Sequence, residues 1–293
     1  MKASHPLEYA LVRVIAAATG LLPLGAAIGL GARLGDLARL LGLRVGVTRD
    51  NLARAFPELA DSARERILRD CYRELGRVAA EYPRIPELVR RPGAVALSGE
   101  EHLRAVMALD TGAIVLTGHY GDFELVGAWL TRYRPVDFVV KPMSNALVDR
   151  WVDGLRERAG VGRVPLGAGI RGMFKALEAK HWVALLADQD AHQAGAFVPF
   201  FGRLTSTPKG PAEIAVRRGV PILMGFSVRG ADGSRVLTLL PPLWPRTDVP
   251  DPVLELTARH TAVLEARIRE HPDHWFWLHK RWKTPPPAVE GRG

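Results

Sequence analysis

Short apolar runs alternate with amphipathic stretches over most of the chain, and this alternation predicts strands and helices in turn. Apolar runs of strand length occur at 94–97, 113–116, 136–140, 182–187, 222–228 and 236–240. Stretches of helical length and periodicity occur between them, at 100–108, 147–159, 170–180 and 212–218. Such alternation is typical of a sheet covered by helices. The pattern therefore predicts an α/β fold with a mostly parallel or mixed central sheet flanked by helices.

Helical patterns also flank this region. Residues 51–81 have apolar positions at spacings of three and four, and residues 253–270 predict a late helix. The end of the chain is rich in proline and polar residues, which is typical of a frayed terminus. The predicted organisation is a hydrophobic membrane-anchoring segment at 1–45, a main α/β domain at 46–285 and a flexible tail at 286–293.

The N-terminal segment is the most apolar part of the chain. No charged residue occurs from Val14 to Ala32, a run close to the roughly 20 residues that a bilayer-spanning helix needs. Because Pro23 interrupts the run, a tilted span, a re-entrant hairpin and a packed helix pair remain open. Arginines follow the run more densely than they precede it, which favours a cytoplasmic main domain. We therefore predict an N-terminal hydrophobic helical membrane anchor.

Charge and cysteine content narrow the function classes. The chain has 40 Lys and Arg against 31 Asp and Glu, a formal net charge of +9. This excess favours anionic partners: phospholipid or phosphorylated glycolipid headgroups, an acidic carrier protein, or nucleic acid. Cys71 is the single cysteine, which excludes an intramolecular disulfide and a cysteine-built zinc site. Neither H-E-x-x-H nor G-x-S-x-G occurs, so metal and covalent-serine chemistry lack their usual motifs.

The stretch at 117–125 points most directly to chemistry. His119 follows a predicted strand, and Glu124 lies near the start of the next predicted helix. An imidazole with a nearby carboxylate can abstract a proton from a hydroxyl. Asp188 and Asp190 follow another predicted strand, and sites in such sheets gather at the carboxyl ends of strands. These residues are therefore expected to open onto one cleft, whereas the structural alternative for His119 is a loop histidine that caps a helix.

Two other function classes remain open at this level. Gly167, Gly169 and Gly172 match G-x-G-x-x-G, which favours an NAD(P)-dependent oxidoreductase, although glycine, arginine and proline interrupt the preceding strand candidate. A non-enzymatic basic protein that binds membranes or nucleic acid would explain the charge. The aromatic and basic cluster at 274–283 suits either a membrane interface or a core. Neither class explains the histidine and glutamate at a strand end.

Four segments in order carry a family resemblance. They are NLARAFPE at 51–58, the H-x4-E block at 119–124, DQD at 188–190 with FVPFFG at 197–202 and TPKGPA at 207–212, and HP at 271–272 with WLHKRWKT at 277–284. Together they resemble the bacterial lipid A biosynthesis acyltransferases of the lauroyl and myristoyl transferase type, within the lysophospholipid acyltransferase-like superfamily. The resemblance extends from about residue 7 to residue 285.

The resemblance implies transfer of an acyl chain from an acyl carrier protein thioester to a hydroxyl of an anionic glycolipid of the lipid A precursor type. It places the catalytic domain on the cytoplasmic face of the bacterial inner membrane, with no cofactor, no metal and no nucleic-acid partner. By the same resemblance, His119 is the general base, and Glu124 orients it and stabilises its cationic form. The identity of the acceptor and the length of the acyl chain stay open.

The remaining site residues also follow from the resemblance. The stretch at 145–149, followed by Arg156 and Arg158, resembles the family stretch that carries a functional arginine. Either arginine could hold a lipid phosphate or the oxyanion that develops at the thioester carbonyl. Asp188 and Asp190 are expected to support the histidine or to position the acceptor.

Overall fold

The computed structural model describes residues 4–165, 169–230 and 233–287 of the chain. Its strands are β1 (Ala96–Ser98), β2 (Ala113–Thr117), β3 (Val136–Val140), β4 (Val161–Pro165), β5 (Trp182–Leu186), β6 (Ala196–Phe200), β7 (Arg203–Thr207), β8 (Ile222–Arg229) and β9 (Arg235–Leu239). Its helices are α1 (His5–Leu21), α2 (Leu24–Leu40), α3 (Val45–Ala55), α4 (Asp61–Glu81), α5 (Ile85–Leu88), α6 (Glu100–Met107), α7 (Phe123–Leu130), α8 (Ala146–Arg158), α9 (Gly169–Glu178), α10 (Gly210–Arg218) and α11 (Pro252–Glu270). These elements confirm the predicted alternation of strands and helices.

A seven-stranded sheet in the order β1-β9-β8-β2-β5-β3-β4 forms the centre of the fold. Strands β8, β2, β5, β3 and β4 are parallel, whereas β9 is antiparallel to β8 and β1 is parallel to β9. Every residue of β2 is buried, because helices cover both faces of the sheet. The predicted α/β class, with a mainly parallel central sheet flanked by helices, is therefore confirmed.

Two elements differ from the sequence prediction. Strands β6 and β7 form a separate antiparallel hairpin that the apolar pattern did not predict, since Pro199 interrupts the run in β6. The helical pattern at 51–81 belongs to two helices, α3 and α4, which are separated at Pro57. In both cases a proline breaks the periodicity on which the prediction depended.

The N-terminal segment forms two helices, α1 and α2, joined at Pro23. Helix α2 packs so closely on α4 that a Cβ added to Gly76 would lie 2.0 Å from the carbonyl oxygen of Gly31. A Cβ at Gly35 would lie 2.0 Å from the carbonyl oxygen of Tyr72. Glycine is therefore required on both sides of this contact. None of the helices in the described ranges combines the length and the apolar character needed to cross a membrane.

The closing segment of the chain is part of the core. Trp275 and Trp277 are only 1% and 0% exposed, so the core interpretation of the aromatic cluster is confirmed over the membrane-interface one. The backbone of Trp275 pairs in antiparallel fashion with Tyr120, in the loop after β2. The C-terminal segment therefore supports the loop that carries the candidate histidine. Of the predicted tail, residues 288–293 lie outside the described ranges.

Candidate active site

Two neighbouring parallel strands bring His119 and Asp188 together. In the sheet, Thr117 at the end of β2 is paired with Leu186 at the end of β5. His119 and Asp188 each lie two residues beyond these paired positions. Strand register alone thus directs both side chains to the same edge of the sheet, at the carboxyl ends of the strands. The two side chains therefore meet at this edge of the sheet, and a cleft shared by them remains a prediction.

The two side chains form a hydrogen-bonded pair. The distance from His119 Nδ1 to Asp188 Oδ1 is 2.8 Å, and the backbone N–H of His119 donates to Asp188 Oδ2 at 2.7 Å. The indole N–H of Trp275 donates to the same Oδ2 at 2.8 Å. A Cβ added to Gly118 would lie 2.9 Å from Asp188 Oδ2, so only glycine permits this approach. Asp188 is the hydrogen-bonding partner of the histidine.

Electrostatics favour a charged carboxylate beside a readily protonated imidazole. Burial raises the pKa of Asp188, but the charge and hydrogen bonds of His119, together with the Trp275 indole, outweigh burial and lower the pKa to about 2. Burial likewise lowers the pKa of His119, but Asp188, with a smaller contribution from Glu124, raises it above its ordinary value. Since an ionised Asp188 accepts from Nδ1–H, Nε2 of the neutral ring carries the free lone pair. Among the described residues Nε2 has no hydrogen-bond partner, and the His119 side chain is 26% exposed.

Glu124 does not hydrogen-bond His119, contrary to the expectation for the H-x4-E block. Its carboxylate instead pairs with the guanidinium of Arg156, where Nε donates to Oε2 at 3.0 Å and Nη2 donates to Oε1. The physical reason is that Glu124, in the first turn of α7, faces α8, whereas Asp188 already occupies Nδ1 of the histidine. The block therefore supplies one member to each of two separate pairs.

The second pair lines an apolar pocket near the histidine. The pocket runs between α7 and strands β2, β3 and β5, and its apolar wall includes Val115, Val126, Phe138, Val139, Ala184 and Leu186. Glu124, Arg156 and Thr117 are its polar lining residues. Phe123 belongs to the same wall, and its ring centroid lies 5.2 Å from that of His119. The pocket therefore presents an apolar wall and the Arg156 guanidinium, and Phe123 connects this wall to the His119 ring.

The structure distinguishes the two candidate arginines. Arg156 has 12% of its side chain exposed, contacts Glu124 and Asp153, and lines the pocket. Arg158 is exposed at the end of α8 and is not a lining residue of this pocket. Two positions along a helix are about 200° apart, so only one of them can face α7. Arg156 is the one brought to the candidate site.

Asp190 has a different environment from Asp188. Its carboxylate accepts hydrogen bonds from the backbone N–H and the hydroxyl of Thr284, the hydroxyl at 2.9 Å. Its backbone N–H donates to His279 Nε2 at 3.1 Å. The Asp190 side chain is 3% exposed and holds the C-terminal segment, whereas its role in substrate binding stays a prediction.

The glycine fingerprint lies elsewhere in the fold. Gly167 falls outside the described residues, whereas Gly169 and Gly172 belong to α9. The preceding strand, β4, is an edge strand of the sheet. Over residues 4–165, 169–230 and 233–287, no group of three His, Cys, Asp or Glu side chains could hold a metal ion.

Trp275 is the site residue that sequence reasoning missed. It lies 87 positions from Asp188, and only tertiary pairing of the closing segment brings the two together. The sequence signal for this region is its tryptophan-rich segment, which by itself suits core packing or a membrane interface as well as a site.

Comparison with known proteins identifies the family. The sequence profile described as bacterial lipid A biosynthesis acyltransferase matches residues 1–284. The chain is 28% identical over 267 residues to the lipid A biosynthesis palmitoleoyltransferase of Escherichia coli, covering 88% of this chain and 85% of the relative. It is 30% identical over 250 residues to the phosphatidylinositol mannoside acyltransferase of Mycobacterium tuberculosis, covering 80% and 76%. It is 27% identical over 277 residues to the E. coli lipid A biosynthesis lauroyltransferase, covering 92% and 90%. The chain therefore belongs to the bacterial lipid A biosynthesis acyltransferase family.

Proposed function

We propose that this protein transfers a fatty acyl chain from an acyl carrier protein thioester to a hydroxyl of an anionic glycolipid, with His119 as the general base. The observation that carries the proposal is the His119–Asp188 pair, which leaves Nε2 free, with the His119 ring against Phe123 in the wall of an apolar pocket. Family membership supports acyl transfer. The relatives are named for lipid A and phosphatidylinositol mannoside acylation, which supports a glycolipid acceptor. The oxidoreductase and non-enzymatic alternatives receive no support from these relatives.

The chemistry proceeds by direct attack without an acyl-enzyme. His119 Nε2 takes the proton of the acceptor hydroxyl as its oxygen bonds to the thioester carbonyl carbon. The carbonyl oxygen becomes an oxyanion, the carbon–sulfur bond then breaks, and the leaving thiolate takes the proton back from the imidazolium. Asp188 supports this step because it fixes the Nδ1–H tautomer and stabilises the charged ring.

Arg156 is the proposed electrostatic partner of the reaction. Its Nε, Nη1 and Nη2 atoms each have a carboxylate partner in Glu124 or Asp153. A guanidinium has five N–H donors, so two remain for a phosphate or for the oxyanion. Glu124 then acts through Arg156, which it holds in place at the pocket wall. Asp153 also holds Arg156, and its second carboxylate oxygen accepts a hydrogen bond from Arg163.

We also propose that the protein engages the cytoplasmic face of the inner membrane through α1. Leu7, Leu11 and Val14 are 75%, 60% and 65% exposed and lie at positions i, i+4 and i+7 of the helix, on one face. Such a face suits a helix that lies in the membrane interface rather than across the bilayer. Near its start, α1 contacts α8, where Asn145 Nδ2 donates to the carbonyl of His5 at 2.8 Å. Helix α8 also carries Arg156, so α1 is connected through α8 to the pocket wall.

The formal net charge of +9 supports an acidic carrier protein and an anionic lipid surface as partners, since both carry negative charge.

Replacement of the general base tests the function directly. His119→Ala should lower acyl transfer from acyl carrier protein by at least about a hundredfold, because no other group takes the hydroxyl proton. The matched control is His181→Ala, which removes another His–Asp contact, His181 Nδ1 to Asp137 Oδ2 at 2.7 Å, outside the pocket. Purified protein, acyl carrier protein loaded with a radiolabelled acyl chain, and extracted glycolipid give the rate. Lipid mass spectra from complemented deletion cells name the acceptor. Normal turnover by His119→Ala would refute the proposal.

The pH dependence tests the pairing with Asp188. Because Asp188 raises the pKa of His119, kcat/KM should fall with decreasing pH at a midpoint above about 6.5, the ordinary imidazole value. In Asp188→Asn the charge is lost and burial of the ring remains, so the midpoint should move to lower pH. The plateau rate should also fall by at least about tenfold, since the ring loses its orienting partner. An acid limb at the same midpoint in both proteins would contradict the assignment.

The two arginines provide a paired comparison. Arg156→Lys keeps one positive charge but cannot make the two-point contact with Glu124, and transfer should fall at least about tenfold. Arg158→Lys should leave transfer within about twofold, because this side chain is exposed and lines no part of the pocket. Steady-state kinetics with thermal melting separates lost activity from lost folding. Equal loss in the two variants would argue against a pocket role for Arg156.

Vesicle binding tests the α1 face. The triple variant Leu7→Glu, Leu11→Glu, Val14→Glu should co-sediment at least about tenfold less with vesicles of phosphatidylglycerol and phosphatidylethanolamine, because buried apolar area drives interfacial binding. The control triple variant Leu204→Glu, Trp244→Glu, Leu254→Glu changes other exposed apolar residues, at 54%, 44% and 41% exposure, and should bind as the unaltered protein does. Unchanged binding by the α1 variant would exclude this face.

A further inference from the structure

The structure assigns a positioning role to Trp275: its indole N–H fixes the Asp188 carboxylate so that Oδ1 faces His119 Nδ1. The inference rests on the proposed function in taking His119 as the base. It adds a third member, from the far end of the chain, to the histidine–aspartate pair. The mechanism proposed above uses only the other two.

The geometry gives Asp188 one defined orientation. Oδ2 accepts two N–H groups, from the His119 backbone at 2.7 Å and from the Trp275 indole at 2.8 Å. Oδ1 is left to face the His119 ring at 2.8 Å. The Asp188 side chain is 2% exposed, so water is largely excluded as a substitute donor. Loss of the indole N–H would leave Oδ2 with a single protein donor.

The Trp275 ring is itself held in place by its neighbours. Its residue is 1% exposed, and its carbonyl accepts a hydrogen bond from Cys71 Sγ at 3.3 Å. The backbone on either side bonds to the catalytic loop: Phe276 N–H donates to the carbonyl of His119 at 2.9 Å, and Gly121 N–H donates to the carbonyl of His274 at 2.8 Å. The indole donor therefore approaches Asp188 from a segment that is already paired with the loop carrying His119.

An indole suits this role chemically. The indole N–H only donates, and it does not titrate near neutral pH. It therefore cannot compete with the imidazole of His119 for a proton. Donation to an ionised carboxylate is also stronger than a neutral hydrogen bond. The same hydrogen bond helps to lower the pKa of Asp188.

Trp277 offers a matched comparison within the same segment. It is 0% exposed, and its ring centroid lies 4.6 Å from that of Trp275. Its indole N–H donates to the carbonyl of Pro272, not to a site residue. If Trp275 served only as a packed ring, the two tryptophans would respond alike to replacement by phenylalanine. The positioning role predicts that they differ.

The first experiment compares Trp275→Phe with Trp277→Phe. Trp275→Phe should lower kcat by about tenfold, the scale of one lost hydrogen bond to a charged group, with KM within about twofold. With one donor fewer, Asp188 places more negative charge beside the imidazolium, so the His119 midpoint should rise by about 0.5 pH unit. Trp277→Phe should leave kcat and the midpoint unchanged at a similar thermal stability. A midpoint that stays or falls in Trp275→Phe would overturn the inference.

The second experiment asks whether Trp275 acts through Asp188. In the Asp188→Asn background, Trp275→Phe should change kcat by no more than about twofold, because the group that it positions is no longer a carboxylate. A tenfold loss that persists in this background would overturn the inference. NMR titration of the His119 ring in Trp275→Phe measures the midpoint without turnover. The positioning role is thus tested even if His119→Ala proves active and the proposed function fails.

Discussion

The candidate site depends on the hydrogen bonds that the buried carboxylate of Asp188 accepts. A buried charge is costly unless hydrogen bonds and opposite charge compensate for it. Here the compensation comes from three N–H groups on two separate segments: the ring and backbone of His119 after β2, and the indole of Trp275 near the end of the chain. Asp188 itself follows β5. One carboxylate therefore unites two neighbouring strands of the sheet with the C-terminal segment, and the orientation of the imidazole follows from all three.

The H-x4-E block has a meaning in the structure that its spacing does not suggest. His119 and Glu124 are five positions apart, yet each belongs to a different ion pair, with Asp188 and with Arg156. Glu124 and Arg156 line an apolar pocket, and the lining residue Phe123 contacts the histidine ring. The block therefore supplies one member to each of two ion pairs, and helices α7 and α8 hold the second pair.

The apolar runs predicted the strands that matter for the site, and with them the meeting of His119 and Asp188. The rest depended on contacts that are distant in sequence. Periodicity does not reveal that β2 pairs with β5, so the exclusion of Glu124 from the histidine could not be foreseen. For the arginines a local signal did exist: Val152 and Leu155 mark the buried face of α8, and Arg156 lies four positions after Val152 on that side. For Trp275 the tryptophan-rich segment marks a special region, but its pairing with Asp188, 87 positions away, has no local signal.

The packing of the N-terminal helices explains how the exposed face of α1 is connected to the helices around the pocket. Glycines at the contact let α2 approach the backbone of α4 closely, so α2 is held by α4 over much of its length. Helix α1 is held at its two ends instead, by Asn145 at the start of α8 and by Arg84, which donates to the carbonyls of Thr19, Gly20 and Leu22. Its outer face is largely exposed at Leu7, Leu11 and Val14. The helix that bears this face is thus bound at its start to α8, the helix that presents Arg156 to the pocket.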